Sequence, residues 1–401
     1  MPDRLTSRFA HSAAETPRRA ADRHSGSRPS AAGRLLGCGV LMGVGSLVVG
    51  SLMAPAAAKT NLALPGVTTA ISTASLPTSL FTAASDGVDS AAGLPEQCDP
   101  SKVLTADRCA SCHAGEFNTW KNTPHAQTFE DLHRMPEAKA IAERMGFSSV
   151  KRGGLCLECH YTVQAQGDKL KPIDGVSCES CHGASSDWIT VHNDYGGPGV
   201  SREDESAAHA RQRREQSIAA GMRNPRNLYS VAQSCFGCHS IRREDLINHG
   251  GHQLASTDFE LVAWSQGRIR HNFLRTNNVS NEPSPPERLR VMYVVGVLAD
   301  LEYATRATAV ATTVGPYGVA SAQRAADRAL KLKAIQEAVQ DPLLQEVLTT
   351  FAEAELVTNN AEQLLAVAER ISELGSEFAE KRDGSTLGAI DAWLPSPANY
   401  R

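Results

Sequence analysis

Hydrophobic and polar positions divide the 401 residues into stretches of different texture. Residues 1–34 are polar and carry seven arginines against three acidic residues. Residues 35–53 are uncharged and mostly apolar. As a helix, nineteen residues would span roughly 28 Å, close to the ~30 Å hydrocarbon layer of a bilayer. Ala56-Ala57-Ala58 then precedes Lys59, a small-x-small cleavage signature. This pattern predicts export, with the basic flank kept in the cytoplasm. The length of the run favours a retained anchor, and its five glycines favour cleavage. Residues 59–97 are rich in Ala, Ser, Thr, Gly and Pro, nearly uncharged, and read as a flexible linker.

Helical periodicity dominates residues 284–381. Ser284-Pro285-Pro286-Glu287 supplies an N-cap serine, a first-turn proline and an early glutamate, and predicts a helix to about Ala311. Gly315-Pro316 breaks it. A second helix is expected over about Val319 to Val339, and a third from Asp341-Pro342 to near Asn359-Asn360. A fourth carries an apolar stripe at Leu364, Val367, Ala368, Ile371, Leu374 and Phe378. Short connections imply antiparallel neighbours. The bundle reads as a shield for the preceding domain, with Tyr293 and Tyr303 available to cover a cofactor edge; a docking or oligomerisation module is the other reading. Residues 384–401 read as a loosely ordered tail.

Charge adds little: a net −4 gives no reason to expect nucleic-acid binding. Cysteine changes the picture. Of ten cysteines, eight form four Cys-x-x-Cys pairs, each followed by histidine: Cys109/Cys112/His113, Cys156/Cys159/His160, Cys178/Cys181/His182 and Cys235/Cys238/His239. Chance would supply about 0.01 such pattern per chain. Cys-x-x-Cys-His is the attachment motif of c-type haem. Two thiols on one side of a helical turn reach the two vinyl groups of one porphyrin, and the adjacent imidazole becomes an axial iron ligand. Zinc is the competitor, because Cys156/Cys159 and Cys178/Cys181 have zinc-ribbon spacing. Neither zinc nor disulfides would require a histidine after all four pairs. Cys38 follows Leu35-Leu36-Gly37 in a faint lipoprotein-like box, but the apolar run continues past it, so it reads as a small buried residue. Cys98 has no evident partner. Arg18-Arg19 lacks the apolar surroundings of a twin-arginine signal.

Each iron has a second axial position. Seven histidines after the apolar run lie outside the motifs: His125, His133, His192, His209, His249, His252 and His271. Met135, Met145 and Met222 could also ligate, but the abundance of histidine favours bis-His haems of low potential. His125, His192 and His252 each trail a motif by a short segment, within reach of a neighbouring iron. His271 sits in Arg268-Ile269-Arg270-His271, with arginines suited to haem propionates. His209 lies in a charged helical run and reads as a surface residue; His133 and His249 are reserves.

CASCHAGEFNTWKNTPHAQ, DGVSCESCHG followed by His192, and SCFGCH followed by Gly251-His252 resemble the tetrahaem cytochrome c family typified by the electron acceptor of hydroxylamine oxidoreductase in nitrifying bacteria. The resemblance spans roughly residues 100–275. It implies a mostly helical, loop-rich haem domain with stacked haem pairs, electron transfer as the function, and His125, His192 and His252 as distal ligands. In that family one haem lacks a distal protein ligand, a place that His271 could fill here.

The expected organisation is therefore a basic segment with signal peptide or membrane anchor (1–58), a linker (59–97), a tetrahaem domain (98–280), an antiparallel helical bundle (281–383) and a tail (384–401), mostly α overall. The expected function is a periplasmic electron carrier, not an enzyme, with four covalent haem c groups. Redox proteins, among them a membrane quinol-oxidising protein, are its expected partners, and an N-terminal tether would hold it at the inner membrane. The alternative is a haem reductase or oxidase of small nitrogen or sulfur oxyanions or nitric oxide, working at one five-coordinate haem.

Overall fold

A computed structural model describes residues 98–254 and 258–401. The expected export segment, linker and Cys38 lie outside these residues. The described chain is mostly α-helical, as expected. Among the described residues no helix is long and apolar enough to cross a membrane.

Residues 98–282 are short helices joined by loops. Three contain or adjoin the first three cysteine motifs: Ala106–Ala110, Gly154–His160 and Cys178–His182. The only hydrophobic cluster confined to the first half of this stretch is small: Ala142, Val150, Leu157 and Tyr161 are its buried members. One hairpin interrupts the helices: Thr162–Gln166 pairs antiparallel with Lys169–Asp174. Its two-residue Gly167-Asp168 turn and the apolar–polar alternation of Thr162-Val163-Gln164-Ala165 are hairpin signals that the sequence expectations above passed over.

The four expected C-terminal helices are present as Pro286–Ala309, Pro316–Val339, Pro342–Ala352 and Ala361–Lys381. Three boundaries differ from expectation. The first helix starts at Pro286 with Pro285 at its N-cap, which has no side-chain acceptor; Ser284 lies one residue further out and donates its amide to Gln266 Oε1. The second starts at Pro316, since proline suits the first helical turn. The third ends at Ala352, and the chain then runs irregularly to Asn360. The fourth helix buries its whole expected stripe.

The first helix is central. It packs against the second and fourth, and from Val291 to Ala309 every residue is buried. A helix surrounded on all sides must satisfy any charge it carries internally. Asp300 accepts from Arg324 Nε at 2.6 Å and pairs with Arg328. Glu302 accepts from Arg306 at 2.8 Å and from the Tyr229 hydroxyl at 2.9 Å.

The bundle and the haem-motif region are not separate layers. The helix Leu228–His239, which carries the fourth motif, packs on the first and fourth bundle helices. Leu228, Tyr229, Ala232 and Phe236 join the bundle core. Gly375 permits this approach: a Cβ there would lie 2.1 Å from the Tyr229 ring. The C-terminus departs from expectation, because residues 384–401 are packed and not loose. Leu387 and Ile390 are buried, and Arg401 exchanges backbone hydrogen bonds with Ala263 and Arg268.

Candidate functional site

The cysteine motifs are helical by local logic. In Gly154–His160 and Cys178–His182 both cysteines and the histidine fall within two turns. Asn227 caps the Leu228–His239 helix by accepting from the Tyr229 and Ser230 amides, which fixes where its last turn presents Cys235, Cys238 and His239. After His182, Gly183 adopts φ +89 and passes so close to Gly221 that a Cβ would sit 2.2 Å from its carbonyl oxygen. The chain thereby leaves the third motif at once, and His182 Nδ1 donates to the Arg223 carbonyl at 3.2 Å.

The eight candidate axial histidines meet in four pairs. His113 faces His192 with ring centres 6.3 Å apart, and His125 faces His239 at 6.2 Å. His160 faces His252 at 6.3 Å, and His182 faces His271 at 6.2 Å. Each pair combines one motif histidine with one expected distal histidine. No distal candidate pairs with the motif that it follows in sequence. With metal–nitrogen bonds of about 2 Å and each ring centre about 1.1 Å behind its nitrogen, two imidazoles on opposite faces of one metal lie about 6.2 Å apart. The four separations match that span.

Side-chain hydrogen bonds set the ring orientations. His192, His252 and His271 donate from Nδ1 to the carbonyls of Ile189, Gln253 and Ile269 at 2.6, 2.8 and 2.6 Å. A proton fixed on Nδ1 leaves the Nε2 lone pair for a metal. Burial pushes His160, His182 and His239 down to about 4, so these imidazoles are neutral at pH 7, the form that ligates. Burial also lowers His125 and His192. The remaining histidines are otherwise engaged. His209 Nδ1 pairs with Glu205 at 2.7 Å, and His249 Nε2 bonds the Arg144 carbonyl at 2.9 Å. His133 joins none of the four pairs.

Two tests bear on what the pairs hold. A zinc ribbon would bring Cys156 and Cys159 to Cys178 and Cys181. Instead, the thiol of Cys109 neighbours that of Cys178, and the thiol of Cys159 neighbours that of Cys238. Among the described residues no group of three or more His, Cys, Asp or Glu side chains could hold a metal ion by itself. Paired histidines without further ligands fit a metal whose equatorial positions a macrocycle fills. The second test is the set of buried polar atoms without a hydrogen-bond partner. Several are donors: Arg270 Nε, Arg324 Nη2, and the indole N–H of Trp188 and Trp264. Trp188 and Trp264 lie against His192 and His239, at 5.2 and 5.6 Å between ring centres. Buried donors gathered around the histidines fit a group that brings its own carboxylates, as haem brings propionates.

Sequence reasoning missed Glu179, the residue after Cys178. It is 1% exposed, and its Oε1 accepts from the Leu104 amide and from the amide and hydroxyl of Ser185. Cys98, given no role above, donates to the Glu179 carbonyl at 2.6 Å. A glutamate inside a Cys-x-x-Cys pair gives no sequence signal of burial.

Comparison with known proteins agrees with this geometry. Residues 108–183 match the family model described as cytochrome c554 and c-prime. Cytochrome c-554 of Nitrosomonas europaea is 32% identical over 101 residues, which cover 22% of this chain and 41% of that protein. The chain thus spans less than half the length of this curated relative. No solved structure matches. The paired histidines and the four motifs agree with this likeness: over residues 108–183 the chain is similar to the cytochrome c554 and c-prime family.

Proposed function

We propose that the protein is an exported electron carrier in which four haem c groups are each held by two thioether bonds and two histidines. The observation that carries this reading is the set of four histidine pairs at 6.2–6.3 Å, each joining a motif histidine to a distal one. In motif order, site 1 is His113/His192, site 2 His160/His252, site 3 His182/His271 and site 4 His239/His125. Bound haem supplies one-electron cycling of its iron without substrate chemistry. The protein contributes ligands, burial and nearby charge.

Contacts between motifs suggest the order of the array. Cys109 meets Cys178, joining sites 1 and 3. The short third-motif helix packs on the helix of the fourth, and Cys181 lies near enough to Cys235 to act on it electrostatically. Cys159 meets Cys238, joining sites 4 and 2. The order 1–3–4–2 follows. Cys112 of site 1 is solvent-exposed and offers one end of the array to a redox partner. Periplasmic location rests on residues 35–58 and on the chemistry of c-type attachment, which follows export. A quinol-oxidising partner and a membrane tether belong to the same proposal.

The test is spectroscopic. The purified full-length protein should carry four haems per chain by pyridine haemochrome assay. When oxidised it should give only low-spin signals, and when reduced it should not bind carbon monoxide. A high-spin component with rapid carbon monoxide or nitric oxide binding would instead establish an open site and the oxyanion or nitric oxide chemistry expected of an enzyme.

A further inference from the structure

The segment after the fourth motif, Ser240-Ile241-Arg242-Arg243, runs beneath the C-terminal bundle. Tyr317 of the second bundle helix donates its hydroxyl to the Ile241 carbonyl at 3.0 Å and holds the segment down. Arg243 forms a two-pronged pair with Glu158, inside the second motif, at 2.9 and 3.0 Å. Arg242 points the other way. Its guanidinium lies 5.2 Å from the centre of the Tyr303 ring, and Tyr303 is fully buried on the first bundle helix. Its Nε and Nη1 are buried and have no hydrogen-bond partner. The groups that act on it most strongly are Tyr303, Cys159, Arg306 and Cys238, none of them a carboxylate. Cys159 and Cys238 are the two thiols that meet between sites 2 and 4.

We infer that Arg242 is a fixed, buried cation at the thioether edges of haems 2 and 4, held there by the bundle to raise the reduction potentials of that half of the array. This rests on the four-haem reading above. Thioether bonds lie at the vinyl edge of a porphyrin, across the ring from its own propionates, so the propionates of haems 2 and 4 do not neutralise Arg242 at that edge. Reduction removes one positive charge from an iron centre, so an uncompensated cation alongside favours the reduced state. Burial keeps that field from being screened. Site 3 has its own arginine, Arg223, acting on Cys181 and His182, so the effect assigned to Arg242 is on sites 2 and 4 alone.

Spectroelectrochemical titration of the full-length holoprotein tests this. In Arg242→Gln, two of the four midpoint potentials should fall. At a fixed applied potential the reduced-to-oxidised ratio of those two haems should drop about tenfold, or 59 mV for a one-electron couple. Arg242→Lys should restore them, and Arg370→Gln, on the outer bundle surface, should move none. Arg242→Met carries the same expectation as glutamine while preserving the apolar stem, should the glutamine variant fail to mature. Four unmoved potentials, or a lysine variant that behaves like glutamine, would overturn the inference. Failure of the four-haem reading is separable, because it shows as a wrong haem count or a high-spin signal in the unmutated protein.

Discussion

At the scale of single residues, the proposed distal histidines show what a sequence can and cannot reveal. The motif histidines were legible because attachment chemistry is local: two thiols and an imidazole within five residues. His125, His192, His252 and His271 were legible only as spare histidines in a haem-dense segment. Their pairing was not, because each crosses to a motif distant in sequence, as His271 does to His182. His271→Ala should leave four haems attached and convert one to high spin, read as a new EPR signal near g = 6 and as carbon monoxide binding to one haem in about four. A second residue-scale prediction concerns Asp174. Burial, aided by Asp107 and Glu179, pushes its carboxyl up to about 6 from an ordinary 3.8. A folded-state value above the unfolded one means that the folded chain holds this proton more tightly. The stabilising contribution is therefore full below about pH 4 and lost as pH rises through 6. Asp174→Asn should flatten the pH dependence of chemical denaturation in that window; an unchanged slope would refute this.

Among elements, the bundle helices announced themselves through apolar spacing, whereas their buried charges did not. Asp300, Glu302 and Arg306 on the first helix look like an exposed polar face in one dimension. Only the packing of helices two and four and of the Leu228–His239 helix around them shows that they are enclosed. The Gly167-Asp168 hairpin, by contrast, was written in the sequence as a turn signal and lost among helical expectations. Gly375 belongs to this scale because it sets the distance between two helices. Gly375→Ala would place a methyl group within the Tyr229 ring and force the fourth-motif helix away from the bundle. Overpacking of this kind costs about 1–3 kcal/mol. The expected result is a lower unfolding midpoint together with a perturbed optical spectrum at one haem. Breaking the Glu302–Arg306 pair is costlier. Arg306→Met leaves a buried carboxylate between Tyr229 and Gln233. Such a loss costs about 3–5 kcal/mol, and Glu302→Gln in the same chain should recover part of it.

The whole molecule divides its stability unequally. The large apolar core joins the bundle, the fourth-motif helix and the packed C-terminus. Ahead of residue 225 the principal cluster has only four buried members, and short helices and loops surround the histidine pairs. A region with so little apolar burial cannot offset its conformational entropy unaided. In the proposed holoprotein, four porphyrins and eight axial bonds supply what side chains do not. That division also explains why the tail was misjudged: residues 384–401 are short and interrupted by glycine and proline in sequence, but the bundle end gives Leu387 and Ile390 a surface to cover. It leads to a distinctive expectation for haem removal. With the eight motif cysteines replaced by alanine, the bundle together with residues 228–239 should remain helical and protected in hydrogen exchange. Residues 98–225 should lose protection and become sensitive to protease. Far-UV circular dichroism should fall by less than half, because the three longest helices survive. Protection lost evenly across residues 98–401 would mean that the bundle too depends on haem, and that the two halves fold as one unit.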